Sequence, residues 1–207
     1  MKALPKDLSQ LLQVIGERFK VNPEGFNPIS TWFSYGSNLF KQDFERKMID
    51  RGSYLSLLRA RPARLEGWKR RLDNESTSRG LAYSIKKGER GSVVDGVLHD
   101  VPIGDLTAFL QFEGILDHSY HMKNDEGKRR YDIEKVKVRP FNGDDIQSCF
   151  TLVGRCLITE DDEREKRIRK YREDLMKYVR TSIKGAIDFG LDIVPFQEDL
   201  RWIETIR

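Results

Sequence analysis

Tyr35-Gly36-Ser37-Asn38-Leu39 places a phenol, a glycine, a hydroxyl and a carboxamide directly after the strand-forming run Trp32-Phe33-Ser34. A turn built on Gly36 and two short polar residues presents consecutive backbone N–H groups with little to shield them, which suits a carboxylate or an oxyanion. Glu113 is the second candidate for chemistry. It ends the mostly apolar stretch Leu106 to Phe112, where Ile103, Leu106, Phe109 and Leu110 recur at helical spacing and predict a helix over 102–113 stopped by Gly114. A carboxyl at the negative end of a helix, among apolar neighbours, has its pKa raised by both effects and is suited to holding and returning a proton. If the two segments meet, the chain holds an anion cradle beside a partly desolvated acid.

The elements that must position these residues follow from periodicity. Leu8, Leu11, Leu12, Ile15 and Phe19 predict an amphipathic first helix, and Asn22-Pro23 and Asn27-Pro28 punctuate a loop before the strand at 32–35. A helix over 41–50 follows, with Gly52 as its stop. Short strand candidates then succeed one another at 53–58, 63–72, 81–85 and 93–98, a spacing that suggests a closed or nearly closed sheet. Strands at 131–139 and 149–158 flank Asn142-Gly143-Asp144 and read as a hairpin. Thr159-Glu160-Asp161-Asp162 resembles a capping box before a charged amphipathic helix carrying Ile168, Tyr171, Leu175, Tyr178 and Val179, extended by 183–190. A last short helix is predicted over 195–206.

Composition bounds the rest. The 207 residues, 38% hydrophobic and 34% charged, are enough for one substantial core, and eleven Phe, seven Tyr and three Trp require burial. No apolar run approaches the roughly 20 residues of a membrane span, and the amino terminus lacks a secretory pattern, so a cytoplasmic protein with no membrane partner is expected. The net charge of +4 is too small to indicate nucleic acid, and the clusters Lys69-Arg70-Arg71 and Lys128-Arg129-Arg130 lack interleaved aromatics. Cys149 and Cys156, seven apart, are expected as two buried thiols on opposite faces of one strand, without a disulfide. His99, His118 and His121 carry no ligand pattern suited to a metal. His118 and His121 would still lie near Glu113.

The order Tyr35-Gly36-Ser37-Asn38-Leu39, Ala63-Arg64-Leu65 with Gly67-Trp68, Gly80-Leu81-Ala82, Val93-Val94-Asp95-Gly96-Val97-Leu98 and Glu113-Gly114 resembles the γ-glutamylcyclotransferase family. Gly185-Ala186 and Gly190-Leu191 resemble the segment that closes its γ-glutamyl amino acid type. The resemblance implies an α+β fold, a small mixed β-barrel flanked by helices. It divides the chain into a helical extension (1–30), a barrel core (31–158) and carboxy-terminal helices packed on the same domain (159–207). It implies intramolecular aminolysis of a γ-glutamyl amine or amino acid to 5-oxoproline and a free amine, a step of glutathione metabolism that needs neither metal nor cofactor. The partner is then a small γ-glutamyl substrate, with a homodimer as one compatible assembly. Glu113 takes the acid/base role, and Tyr35, Gly36, Ser37, Asn38 and Leu39 the substrate-holding role.

The chain also departs from the family pattern. Leu110 stands where an Asp is usual, three residues before the glutamate. The family tyrosine follows by about seven residues and opens a strand: Tyr120 fits the spacing and Tyr131 the strand, reconciled by an insertion of about eleven residues around His121 to Arg130. Relatives specific for glutathione or for γ-glutamylamines usually carry Leu where this chain has Asn38, so Asn38 points to the amino acid type or to the antibiotic-pathway relatives. A binding module that keeps the fold without turnover is the alternative.

Overall fold

A computed structural model describes residues 29–40, 60–113, 115, 131–143 and 145–206, with positions 13 and 46. The predicted elements at 1–28, 41–50 and 53–58, and the residues Gly114, His118, Tyr120, His121 and Asp144, lie outside the described residues apart from those two positions.

Five strands close a barrel: β1 (Ile29–Ser34), β5 (Val93–Pro102), β2 (Ala60–Glu66), β6 (Tyr131–Pro140) and β7 (Gln147–Gly154), in that spatial order. All neighbours are antiparallel except β7 and β1, which run parallel and close the ring through Trp32 opposite Phe150. Closure removes sheet edges and leaves the interior to side chains. Ala63, Leu65, Val97, Val136 and Val138 are among those that fill the core.

The sequence predicts one strand over 63–72, but two are found. Gly67 has φ +77°, a conformation that excludes ordinary side chains, and it ends β2 and starts β3 (Trp68–Ser76) on a new course. β3 pairs with β4 (Gly80–Lys87) as a separate hairpin beside the barrel. The strand predicted over 149–158 also stops earlier, at Gly154, where a Cβ would stand 2.4 Å from that of Ser84. Cys156 therefore lies past the strand and is half-buried, while Cys149 is buried; both are free thiols.

The helix α1 (Ile103–Phe112) follows β5 directly and is seated by Trp32, whose ring centroid lies 4.7 Å from that of Phe109 and 5.4 Å from that of Phe150. Trp32 and Phe109 are fully buried, and truncating either to Ala would cost about 3–5 kcal/mol. The helix ends with Glu113 as C-cap, and the Ile115 N–H donates to the Leu110 carbonyl at 2.9 Å, the long bond of a Schellman ending.

The helix α2 (Asp161–Asp188) buries Ile168, Leu175, Tyr178, Val179, Ser182, Gly185 and Ala186 along one side. Its start corrects the capping-box expectation: Glu160, not Thr159, is the N-cap, and it makes no side-chain cap bond. Asp161, Asp162 and Glu163 occupy the first turn instead, where the positive end of the helix dipole favours carboxylates. Tyr171 breaks the helical path at φ −121°, ψ 23°, beside Gly80. A Cβ on Gly80 would lie 2.9 Å from Tyr171 Cδ2 and 3.1 Å from the Arg167 carbonyl oxygen. The helix α3 (Val194–Thr205) turns Phe196 and Ile203 inward. Among the described residues no helix is long and apolar enough to cross a membrane.

Candidate active site

β1 delivers its last residues to one end of the barrel and the chain then folds into a tight 3-10 turn at Ser37–Leu39. Two bonds shape the turn: the Leu39 N–H donates to the Gly36 carbonyl at 3.0 Å and the Phe40 N–H to the Ser37 carbonyl at 3.2 Å. Gly36 leaves little room for a side chain, since a Cβ there would stand 3.0 Å from the Tyr178 hydroxyl. Leu39 does not line the cavity. It is fully buried and packed under Gly185 of α2, where it seats the turn.

A cavity of about 300 Å³ opens beside this turn. Tyr35, Gly36, Ser37 and Asn38 form one part of its wall, Glu113 another, and Tyr131 a third. The Asn38 carboxamide Nδ2 donates to Glu113 Oε1, so the end of α1 and the turn after β1 are joined by a direct hydrogen bond. The two segments singled out by residue type therefore do meet at one hollow.

His99 supports this arrangement from behind. It lies on β5 opposite Trp32, fully buried, with the Asn38 backbone near its imidazole. Burial depresses its pKa to about 4, so the imidazole is neutral at physiological pH. It is a support of the turn, not a ligand-facing group.

The tyrosines divide by what their hydroxyls do. Tyr35 donates to the Leu152 carbonyl at 2.5 Å and Tyr131 to the Tyr83 carbonyl at 3.2 Å. Their protons are thus committed to the protein, leaving ring faces and oxygen lone pairs toward the hollow. Burial raises both phenol pKa values above the ordinary range, with the Glu113 charge adding to the rise. Both stay neutral at any physiological pH.

Several cavity-lining residues were not singled out as site residues from the sequence, Tyr178 and Arg79 among them. Tyr178, from α2, accepts the Tyr83 backbone N–H at 3.1 Å and reaches the hollow from the carboxy-terminal helix. Its place on the apolar stripe of that helix marked it for packing only. Arg79 ends the turn between β3 and β4 and sits 4.4 Å from the Tyr178 ring centroid. Its one signal was its position immediately before the Gly80-Leu81-Ala82 motif. Among the described residues, no three of His, Cys, Asp and Glu cluster as a metal site would require.

The pairing of an amide-held carboxylate with a glycine turn, a guanidinium and neutral phenols can bind a zwitterionic ligand and move a proton. No family model and no curated protein matches the chain in sequence. Solved structures do match in shape. A structure described as a γ-glutamyl cyclotransferase is 18% identical, with 86% of this chain and 88% of that one covered at a TM-score of 0.56. An uncharacterised protein from Homo sapiens is 19% identical over 87% and 89% of the two chains, TM-score 0.56. A γ-glutamyl cyclotransferase from yeast, specific to glutathione, is 12% identical over 86% and 97%, TM-score 0.58. The chain has the γ-glutamyl cyclotransferase-like fold, mixed α+β around a closed five-stranded barrel.

Proposed function

We propose that the protein is a cyclotransferase that converts a γ-glutamyl amine or amino acid to 5-oxoproline and a free amine. The observation that carries this reading is the hydrogen bond from Asn38 to Glu113 at the wall of the cavity, which holds a carboxylate beside the Gly36–Asn38 turn.

The reaction needs little beyond folding the substrate on itself and moving protons off the attacking nitrogen and onto the departing one. At neutral pH the α-amino group is an ammonium, so the Glu113 carboxylate first takes its proton. The amine nitrogen then bonds to the γ-carbonyl carbon, and the carbonyl electrons move onto oxygen as a tetrahedral oxyanion. The backbone N–H groups of Ser37 and Asn38, which the two turn bonds leave unused, are the donors for that oxygen. Glu113 then protonates the departing nitrogen, and collapse of the intermediate breaks its bond to carbon and releases the free amine. The carboxylate so regenerated takes the second proton from the attacking nitrogen, leaving the lactam N–H. Because the attack is intramolecular, orientation alone is worth an effective molarity of roughly 10^5 to 10^8 M.

Proton transfer of this type contributes about 10²- to 10⁴-fold, so Glu113→Gln should reduce 5-oxoproline release by at least that factor while circular dichroism stays that of the parent. Undiminished release from the variant would end the assignment. Leu110 motivates a second reading: it is fully buried where relatives usually carry Asp, which suits a fold kept for binding alone. Retention of γ-glutamyl amino acids with no product from any of them would favour that reading.

A further inference from the structure

Arg79 is held rigidly at the cavity wall and is left with donors to spare. Its Nε donates to Ser76 Oγ at 3.3 Å, and its guanidinium lies 4.4 Å from the centroid of the Tyr178 ring. A hydroxyl from β3 and an aromatic face from α2 thus fix the plane of the group from two sides. A guanidinium carries five N–H donors, and among the described residues only Nε is engaged, which leaves the parallel Nη pair that matches a carboxylate.

Several other arginines of the barrel, its hairpin and α2 are paired with carboxylates. Arg61 pairs with Asp100 at 2.9 Å, Arg64 with Asp95 at 2.6 Å, Arg71 with Asp73 at 2.9 Å and Arg167 with Glu75 at 3.0 Å. Arg79 has no such carboxylate among the described residues, and it is the cation that lines the cavity. The tyrosine phenols show where it acts. Tyr131 and Tyr178 feel both the Glu113 and the Arg79 charge, in opposite senses, so both charges act on the same two rings of the hollow. A ligand lying over those rings meets an acid and a base, and the arrangement complements an ammonium and a carboxylate carried by one molecule.

We propose that Arg79 is the receptor for a carboxylate of the substrate. This rests on the cyclotransferase reading for the identity of the substrate, and on the geometry around Arg79 for the carboxylate. Two carboxylates qualify by chemistry: the α-carboxylate of the glutamyl unit, and the carboxylate of the departing amine when that amine is an amino acid.

The test compares the parent with Arg79→Met, which keeps length and removes charge, and Arg79→Lys, which keeps charge and loses the fork. Two probes, γ-glutamylalanine and γ-glutamylethylamide, differ mainly by the carboxylate on the departing amine. Arg79→Met should raise KM for γ-glutamylalanine about ten- to hundredfold with kcat within about threefold, and Arg79→Lys should recover part of the loss. A rise confined to γ-glutamylalanine assigns the departing carboxylate, and an equal rise with both probes assigns the glutamyl one. KM values for both probes within twofold of the parent, in both variants, would overturn the proposal while leaving the cyclotransferase reading intact. Calorimetric binding of the same probes separates the two failures. If the parent binds γ-glutamylalanine without forming product, and Arg79→Met weakens that binding, the carboxylate receptor stands and the catalytic reading falls. If the parent neither binds nor turns over either probe, both fall.

Discussion

Gly185→Ala is expected to damage the site from behind the turn that lines it, and the size of the effect can be worked from contacts. Gly185 lies on α2 against the turn that follows β1. A Cβ built there would stand 2.3 Å from the Leu39 carbonyl carbon and 2.3 Å from the Phe40 nitrogen. Carbon contacts settle at about 3.5 Å, so helix and turn would have to part by about 1.2 Å. Neither neighbouring atom is a side-chain tip that can swing away, because both belong to the backbone of the turn. The opposing effect is helix propensity, which favours Ala over Gly by about 1 kcal/mol in a helix interior. Overpacking of a fitted core costs about 1–3 kcal/mol, and immovable backbone places this site at the upper end. The net loss is about 2 kcal/mol, which for a domain of this size lowers Tm by about 4–8 °C. The same displacement moves Asn38 relative to Glu113 and Gly36 relative to Tyr178, and a misplacement of about 1 Å can cost about 10²-fold in rate. The assay is a thermal melt followed by circular dichroism, paired with kcat for 5-oxoproline release. A melting temperature equal to or above that of the parent would refute the close approach of α2 and the turn, and with it the claim that the carboxy-terminal helix shapes the site.

Two further outcomes concern pH. Burial lowers the His99 pKa from 6.5 to about 4, so the unfolded chain takes up this proton first as pH falls. The stabilisation is therefore complete above about pH 6.5 and is lost between there and pH 4. The span is worth at most about 3 kcal/mol, with about 2 kcal/mol gone by pH 5. Urea titrations at pH 7 and pH 5 should differ by that amount in the parent and much less in His99→Gln; equal differences would exclude His99 as the source. Tyr35, Tyr83, Tyr131 and Tyr178 all have phenol pKa values raised by burial. Four of the seven tyrosines should then remain protonated at pH 10 by ultraviolet absorbance and ionise only on unfolding, with stability falling as pH rises through 10 toward the folded values. Ionisation of all seven in the folded protein at pH 10 would contradict the enclosed cavity.

How much of the site can be read from the chain depends on whether a residue's job is local. The turn at Tyr35 to Leu39 and the acid at Glu113 were legible through the ordered motifs of 35–114 taken together, since a glycine turn and a glutamate at a helix end are each ordinary within their own windows. The break at Gly67 was not, since 63–72 alternates well enough for one strand and only the backbone reveals φ +77°. Tyr178 and Gly185 were legible as helix positions but not as site positions. Periodicity tells which side of α2 is buried and is silent about what lies beneath it. What lies beneath is the turn itself: Gly185 lets α2 come down on Leu39, and that approach delivers the Tyr178 hydroxyl to within 3.0 Å of where a Gly36 side chain would begin. Gly36 and Gly185 thus answer one another across the same contact, and Arg79 takes its orientation from the ring that the contact brings in. This side of the cavity is a product of helix packing, so a substitution on α2 outside the cavity lining should still change what the site binds.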